Sequence, residues 1–362
     1  MVRIVFSGLL VIHGLIHGMG FAKAFDLFDF KQLTVPISKI GGVFWLVTSL
    51  LFIISAILFL RDENFWWLFL FAAIFISQIL IISTWHDSKF GSILNGIALI
   101  AAILGYAQWN YFSAYQKDVA KNFSTIISTK QDLLSESDIE LLPEPVKKYI
   151  RYAGCVGKPK VQNFKINFEG KIRKNDTSPW MPFSSEQYNF MSEPTRLFFM
   201  KAVMKGMQVA GYHSYKNGVA YMDIRLLSLF KVQYQEGTEM NIAETVTFFN
   251  DMCCMAPATL IDKRINWKMI DDLNVSADFT CNVITIQALL SFNEKGELIN
   301  FKSNDRYAAD YGKKLPWATP LKDYKMKNGF RLAGYAETIY TYPEGDQCYG
   351  TFSLTSVEYN CE

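Results

Sequence analysis

The sequence predicts a membrane α block joined to a soluble, mostly β domain: four transmembrane helices, then an antiparallel curved sheet with a helical lid. Three observations carry this. Residues 1–112 hold apolar runs long enough to cross a bilayer, separated only by short polar breaks. From about residue 160 the apolar period changes from 3.6 to 2, the change from helix to half-buried strand. Asn-Gly pairs then punctuate the alternating stretches as hairpin turns do. The expected divisions are a four-helix block over 1–112, a helical stalk over 113–137, and a β domain over 138–362 with a helical insertion at 241–254.

Charge follows the same division. Residues 1–112 contain 6 Lys/Arg and 5 Asp/Glu, leaving 30 of the 36 basic and 29 of the 34 acidic residues to the remainder. The later part is therefore nearly neutral, and no basic surface argues for nucleic acid as a partner.

In the first block, residues 40–60 carry no charge, and a helix of that length rises about 30 Å, the thickness of a hydrocarbon core. Residues 65–84 are equivalent. Residues 91–112 hold Asn95 and Gln108 but no charge. Residues 2–21 are weaker, interrupted by His13, His17 and several glycines. A secretory signal competes for this first run, since Arg3 suits its basic start and Ala22-Lys23-Ala24 resembles a cleavage site. Against it stands the Gly14/Gly18 pair, whose spacing lets another membrane helix approach closely and marks a candidate helix-partner surface. Phe21, Phe25 and Phe28 suit an interfacial helix. Pro36 then fits the start of the second span. Four spans put both termini on one side, and the flanking lysines and arginines balance, so charge does not orient the block.

His13 and His17 lie four apart and share one helical face. His86 and Asp87 close the third span, on the side where the first ends, so a cluster of His17, His86 and Asp87 with Gln78 or Asn95 is expected. Intramembrane ionisable groups are functional candidates, for a metal, haem, quinone or proton relay. The alternative is interhelical hydrogen bonding, worth about 1 kcal/mol per bond.

Tyr115, Val119, Phe123, Ile126 and Ile127 keep helical spacing, continuing the fourth span as an amphipathic stalk. After a break at 133–138, Pro143 and Pro145 open a short helix over 146–153. Phe164, Ile166, Phe168 and Ile172 then alternate with Lys165, Asn167, Glu169, Lys171 and Arg173, a strand with one dry face. Asn217-Gly218 and Asn328-Gly329 fit type I′ hairpin turns. Looser turns fall at 294–297 and 343–346, and alternation from Ala336 to Tyr359 completes an antiparallel meander. Residues 241–254 break it, placing Ile242, Val246, Phe249 and Met252 on one helical side. A curved sheet must have its dry concave face covered, and this helix is the expected lid. The candidate ligand cavity beneath it comprises Phe164, Phe168, Phe190, Phe198, Met200 and Phe249, with Gln187, Arg306 and Tyr349 as polar groups. Phe199, Met204 and Met207 cluster just before the insertion. The competing reading is an ordinary closed core.

The six cysteines, Cys155, Cys253, Cys254, Cys281, Cys348 and Cys361, form no C-x-x-C pair, so zinc and redox sites lack support and small buried hydrophobes are expected. No G-x-G-x-x-G, P-loop, G-x-S-x-G or H-E-x-x-H occurs. His213 reads as a surface residue. Asp271 and Asp272 would face opposite ways on a strand, and Asp305-Arg306 suggests an ion pair. The sequence leans away from an enzyme, with no cofactor and no bound metal expected.

Leu142-Pro143-Glu144-Pro145-Val146, Tyr152-Ala153-Gly154, the run Trp180–Gln187, Asn304-Asp305-Arg306-Tyr307 and Val357-Glu358-Tyr359-Asn360 resemble an uncharacterised bacterial family. Its members often carry N-terminal membrane helices. The strand-rich plan with a helical lid is also similar to the lipoprotein-carrier (LolA/LolB-like) fold, an incomplete barrel around an apolar cavity. That resemblance implies a half-barrel and a periplasmic β domain, and with the four apolar spans the expected location is the bacterial inner membrane, as a multi-pass protein. The expected function is binding of an apolar or lipid-like ligand at the membrane surface without chemistry. The alternative is a structural or assembly protein that holds a protein partner and has a filled β core.

Overall fold

The computed structural model describes residues 1–124, 132–308 and 311–362. The chain divides into two compact units, Met1–Ser113 and Ala114–Glu362.

The first unit contains α1 (Val2–Ala24), α2 (Lys39–Leu60), α3 (Trp66–Ser83), the single turn α4 (Trp85–Ser88) and the first part of α5 (Gly91–Phe123). All four long helices are long and apolar enough to cross a membrane. Their outward surface is as apolar as their interior. Ile40, Val43, Phe44, Ile57, Phe75, Ile79, Ile82, Ile93 and Ile100 are all exposed, an arrangement that water penalises and hydrocarbon does not. The interior is small and tightly packed, built on Leu10, Phe52, Ala56, Leu70, Ala73, Ala98 and Ala102. Ser38 caps α2 by accepting from the Gly41 N–H at 3.1 Å, which satisfies a free donor of the first turn. Gly14 and Gly20 let α1 lie against α2. A Cβ on Gly14 would sit 2.9 Å from the Ser49 carbonyl, and one on Gly20 2.3 Å from the Trp45 ring. The Gly14 face is thus occupied within the chain, whereas Gly18 has only the Ser49 hydroxyl nearby.

The second unit opens with residues 114–123 of α5; Ile126 and Ile127 lie outside the described residues. The turn α6 (Glu136–Ile139) and α7 (Glu144–Tyr152) follow, with Pro145 in the first turn of α7. Next come β1 (Asn163–Ile172), β2 (Met181–Phe190), β3 (Thr195–Met204), β4 (Met207–Lys216), β5 (Val219–Leu226) and β6 (Phe230–Glu236). Helix α8 (Thr238–Met255) and a 3₁₀ turn at Pro257–Ile261 interrupt the strands. The chain resumes with β7 (Ile265–Met269), β8 (Asn274–Cys281), β9 (Ile284–Phe292) and β10 (Leu298–Ser303). A two-stranded ribbon, β11 (Tyr307–Ala308) and β12 (Lys313–Lys314), precedes β13 (Trp317–Lys327), β14 (Phe330–Tyr342) and β15 (Gly345–Tyr359).

Thirteen strands form one open antiparallel sheet, in the order β6-β5-β4-β3-β2-β1-β15-β14-β13-β10-β9-β8-β7. The first and last strands pair at its centre, Ile166 opposite Val357. The opening falls between β6 and β7, where α8 is inserted. The sheet curls enough that its two halves meet, since Asn282 in the β8–β9 turn donates to the Asn217 carbonyl in the β4–β5 turn. Asn217-Gly218 and Asn328-Gly329 both lie at positive φ, as two-residue hairpins require.

Helix α8 lies in the resulting concavity and is buried on nearly every side. Phe248 meets Tyr215 and Phe279, and Phe249 stacks on Phe279 with centroids 4.9 Å apart. Val246, Phe248, Phe249, Met252 and Cys253 have no exposed surface. Tyr149 of α7 donates to the Cys253 carbonyl at 3.0 Å. The expected helix begins three residues earlier than its apolar spacing suggests, at Thr238, where Thr238 and Glu239 form an exposed first turn that apolar periodicity does not mark. All six cysteines are free thiols, four of them buried.

Candidate functional site

Strand alternation puts Arg196, Phe198 and Met200 of β3 on the concave face, beside Gln187 and Asn189 of β2. Across from them, α8 presents Glu244 and Asp251, seven residues apart and so on one helical face. Arg196 joins the two elements. Its Nε donates to Asp251 Oδ2 at 2.7 Å, its Nη1 to Glu244 Oε2 at 3.0 Å and its Nη2 to Gln187 Oε1 at 3.1 Å. Gln187 Nε2 returns to Asp251 at 2.7 Å, and His213 Nδ1 lies 3.6 Å from Glu244 Oε1. Burial raises the Glu244 pKa, but Arg196 and His213 outweigh it and hold the carboxyl down to about 2. Burial pushes Asp251 above the ordinary carboxylate range against the pull of Arg196, Gln187 and Asn189. With Arg196 bonded from all three of its nitrogens, the cluster is a clasp for α8.

Further along the helix, Arg306 donates from Nε to Thr247 at 3.3 Å and from Nη1 to the Tyr340 hydroxyl. Its guanidinium also sits 4.8 Å from the Trp317 ring centroid, a favourable cation–aromatic arrangement. The Trp317 indole donates to the Tyr349 hydroxyl at 3.0 Å. Gln187, Arg306 and Tyr349 therefore line the inside of the sheet, as hydrogen-bonded members of its packing.

Phe164, Phe168, Phe198, Met200 and Phe249 share one buried core. Space expected to form a cavity beneath the lid is filled by α8 itself. Phe190 requires a correction, since it is on the opposite face, 5.1 Å from the Phe123 ring of α5. Its neighbour in register is Thr195, whose parity on β3 is opposite to that of Phe198. His213 also differs from expectation, facing inward against Glu244. Asp305 pairs with Lys314 rather than Arg306, and Asp271 closes a turn by accepting from the Leu273 N–H. The sequence reading missed Arg196, Glu244 and Asp251; the i, i+7 spacing of two carboxylates on a helix that must be buried was the available signal.

The convex face carries a groove of about 830 Å³, within the size range of small-molecule sites. Its floor is made by outward residues in register across five strands: Lys201, Ser184, Glu169, Ser353 and Tyr335 in one row, with Pro182, Lys171 and Thr351 in the next. Trp180 and Val203 supply apolar walls, while Phe183, opposite Ala202, sends its ring into the core on the other face. Arg173 holds the Trp180 ring with its guanidinium 4.4 Å from the centroid. Gly170 lets the strands close under the groove, since a Cβ there would sit 1.9 Å from the Thr351 carbonyl.

In the helical block, His13 Nε2 bonds Asn95 Oδ1 at 3.0 Å and His17 Nε2 bonds the Ser77 hydroxyl at 2.9 Å. Asn95 continues to Gln78, and Gln78 to Ser92 at 3.0 Å. His86 and Asp87 are elsewhere. Asp87 accepts from the Thr34 hydroxyl at 2.7 Å and from the Val35 N–H at 2.8 Å, and these bonds with His86 hold its carboxyl below the usual range. The expected four-residue cluster is thus two separate networks. Among the described residues, no group of three or more His, Cys, Asp or Glu could hold a metal ion.

Residues 132–352, more than half of the chain, match the model of a family of unknown function, DUF6544. The chain belongs to this family. No curated protein matches it. Among solved structures it is similar to a domain named for outer membrane lipoprotein sorting from Vibrio parahaemolyticus, at 9% identity and a TM-score of 0.32, covering 55% of this chain and 85% of that one. It is also similar to a LolA superfamily protein from Nitrosomonas europaea, at 10% identity and a TM-score of 0.33, covering 64% and 96%. A third similar structure is a DUF1329 family protein from Desulfovibrio piger, at 7% identity and a TM-score of 0.34, covering 60% and 92%.

Proposed function

We propose that this DUF6544 protein is a multi-pass membrane protein whose β domain binds a lipid-like amphiphile, without chemistry, in the groove on its convex face. The groove is the observation that carries the reading. Trp180 and Val203 offer apolar walls to a hydrocarbon tail, while Lys171, Ser184 and Thr351 offer polar contacts to a headgroup. The apolar outward surface of α1, α2, α3 and the first part of α5 supports membrane integration. Native mass spectrometry of the full-length protein released from detergent tests the binding. The wild type should retain a lipid mass that Val203→Glu and Trp180→Ala lose; a wild type without retained lipid, or variants that keep it, refutes the reading.

The filled concave face favours a second reading, an assembly protein that holds a partner through the open edge strand β6, whose backbone has no strand neighbour on one side. Lysate crosslinking from a photoreactive residue at Gln233 that captures one discrete protein would favour it. For localisation we propose a bacterial inner membrane protein with a periplasmic β domain. Val283 is 97% exposed, so Val283→Cys should react with an impermeant maleimide in spheroplasts; labelling only after lysis places the domain in the cytoplasm.

A further inference from the structure

Two hairpins of the β domain end in exposed apolar side chains. Met204 and Met207 flank the Lys205-Gly206 turn between β3 and β4, with Val203 beside them, and the β5–β6 loop carries Leu229, Phe230 and Val232. The backbone of that second loop is costly. Leu227 and Ser228 both lie at positive φ, 54° and 58°, where a leucine is disfavoured by roughly 1–2 kcal/mol. The β4–β5 and β13–β14 hairpins of the same sheet meet this demand with Asn-Gly. At the β5–β6 loop Leu227 and Ser228 stand at the two positive-φ positions.

We propose that these two hairpins dock on an anionic bilayer surface, the apolar tips entering the interface and Lys201, Lys205 and Lys231 lying among the lipid headgroups. Apolar residues with lysines at their margin match the chemistry of an interfacial site, and each lysine near an anionic surface adds attraction. The path of α5 supplies a second argument. Tyr115 lies over Phe199 and Tyr212, and Phe123 lies over Tyr188 and Phe190. Within the β domain, residues 115–123 thus start nearest the end of the sheet that bears the β3–β4 and β5–β6 turns and run away from it. Val203 and Lys201 also belong to the convex groove, so docking would bring its mouth to the lipid. The docking holds whether or not the groove is occupied.

The test uses the full-length protein in phosphatidylglycerol nanodiscs containing a lipid with a nitroxide near the headgroup. An NBD fluorophore is placed on Met207→Cys, Leu229→Cys or Val219→Cys, with Cys348 and Cys361 replaced by serine. Val219 is exposed but belongs to the β4–β5 turn, at the other end of these strands. Quenching should be several-fold stronger at 207 and 229 than at 219. Equal quenching at the three positions overturns the docking. Lys205→Glu with Lys231→Glu, or phosphatidylcholine in place of phosphatidylglycerol, should weaken quenching at 229; insensitivity to both overturns the anionic assignment. Lipid retention by mass spectrometry is a separate readout, so failure of docking and failure of groove binding are distinguishable.

Discussion

Replacing Arg196 with methionine removes the cation bonded to both Glu244 and Asp251 of α8 while leaving comparable bulk in the core. Glu244 is held at about 2, well below its ordinary 4.5, chiefly by Arg196. Losing that hold leaves burial opposed by His213 and Arg306, so the carboxyl moves up and the stability that its low value supplies near neutrality falls. Asp251 loses its 2.7 Å partner as well, and removing one member of a buried ionic group usually costs about 3–5 kcal/mol. Urea titration in detergent, followed by the fluorescence of Trp180, Trp267 and Trp317, measures the loss. Arg151→Met is the control, because its pair with Glu136 is half-exposed on both sides and worth at most about 1 kcal/mol. The sign with pH is a further check. In the variant Glu244 is no longer held as low and Asp251, already raised by burial, moves further up, so acid costs the variant less than the wild type and its deficit narrows on acidification. Triple replacement, Arg196→Met with Glu244→Gln and Asp251→Asn, should recover much of the loss, since no buried charge is stranded. A single-variant cost below about 1 kcal/mol, or a deficit that widens in acid, refutes the clasp.

Other outcomes follow from the same contacts. Gly170→Ala forces a Cβ onto the Thr351 carbonyl and should cost about 2 kcal/mol or more in the same titration. In α1, Gly20→Ala drives a methyl into the Trp45 ring, whereas Gly8 has nothing within 4 Å; the first should lower the thermal midpoint of the helical block and the second should leave it unchanged or raise it. The stabilising effect of Glu244 is present in full above pH 4.5 and is lost as pH falls towards about 2. The stability gap between wild type and Glu244→Gln should therefore shrink across that window and stay constant from pH 5.5 to 7. Tyr149→Phe strands the buried Cys253 carbonyl and should cost about 1 kcal/mol.

Periodicity determined the large divisions of this chain. Uncharged runs of 18 or more residues have few alternatives to a spanning helix, and alternation such as Phe164-Lys165-Ile166-Asn167-Phe168 specifies a strand and its dry face whatever it pairs with. Asn217-Gly218 and Asn328-Gly329 located hairpins because few other pairs accept two successive positive φ angles. Only the tertiary structure decided what lies against each face. Phe190 and Phe198 are equally apolar, but strand parity sends one to Phe123 and the other to the core. His86 and Asp87 lie close in sequence to the spans that carry His17 and Asn95, but Asp87 bonds Thr34 and Val35 while His86 bonds Asp87. Arg196, Glu244 and Asp251 are separated by up to 55 residues and meet because the sheet curls around α8. Periods of 2 and 3.6 are local properties, fixed by neighbours along the chain, whereas the clasp and the convex groove arise from register between strands distant in sequence, which no local pattern encodes.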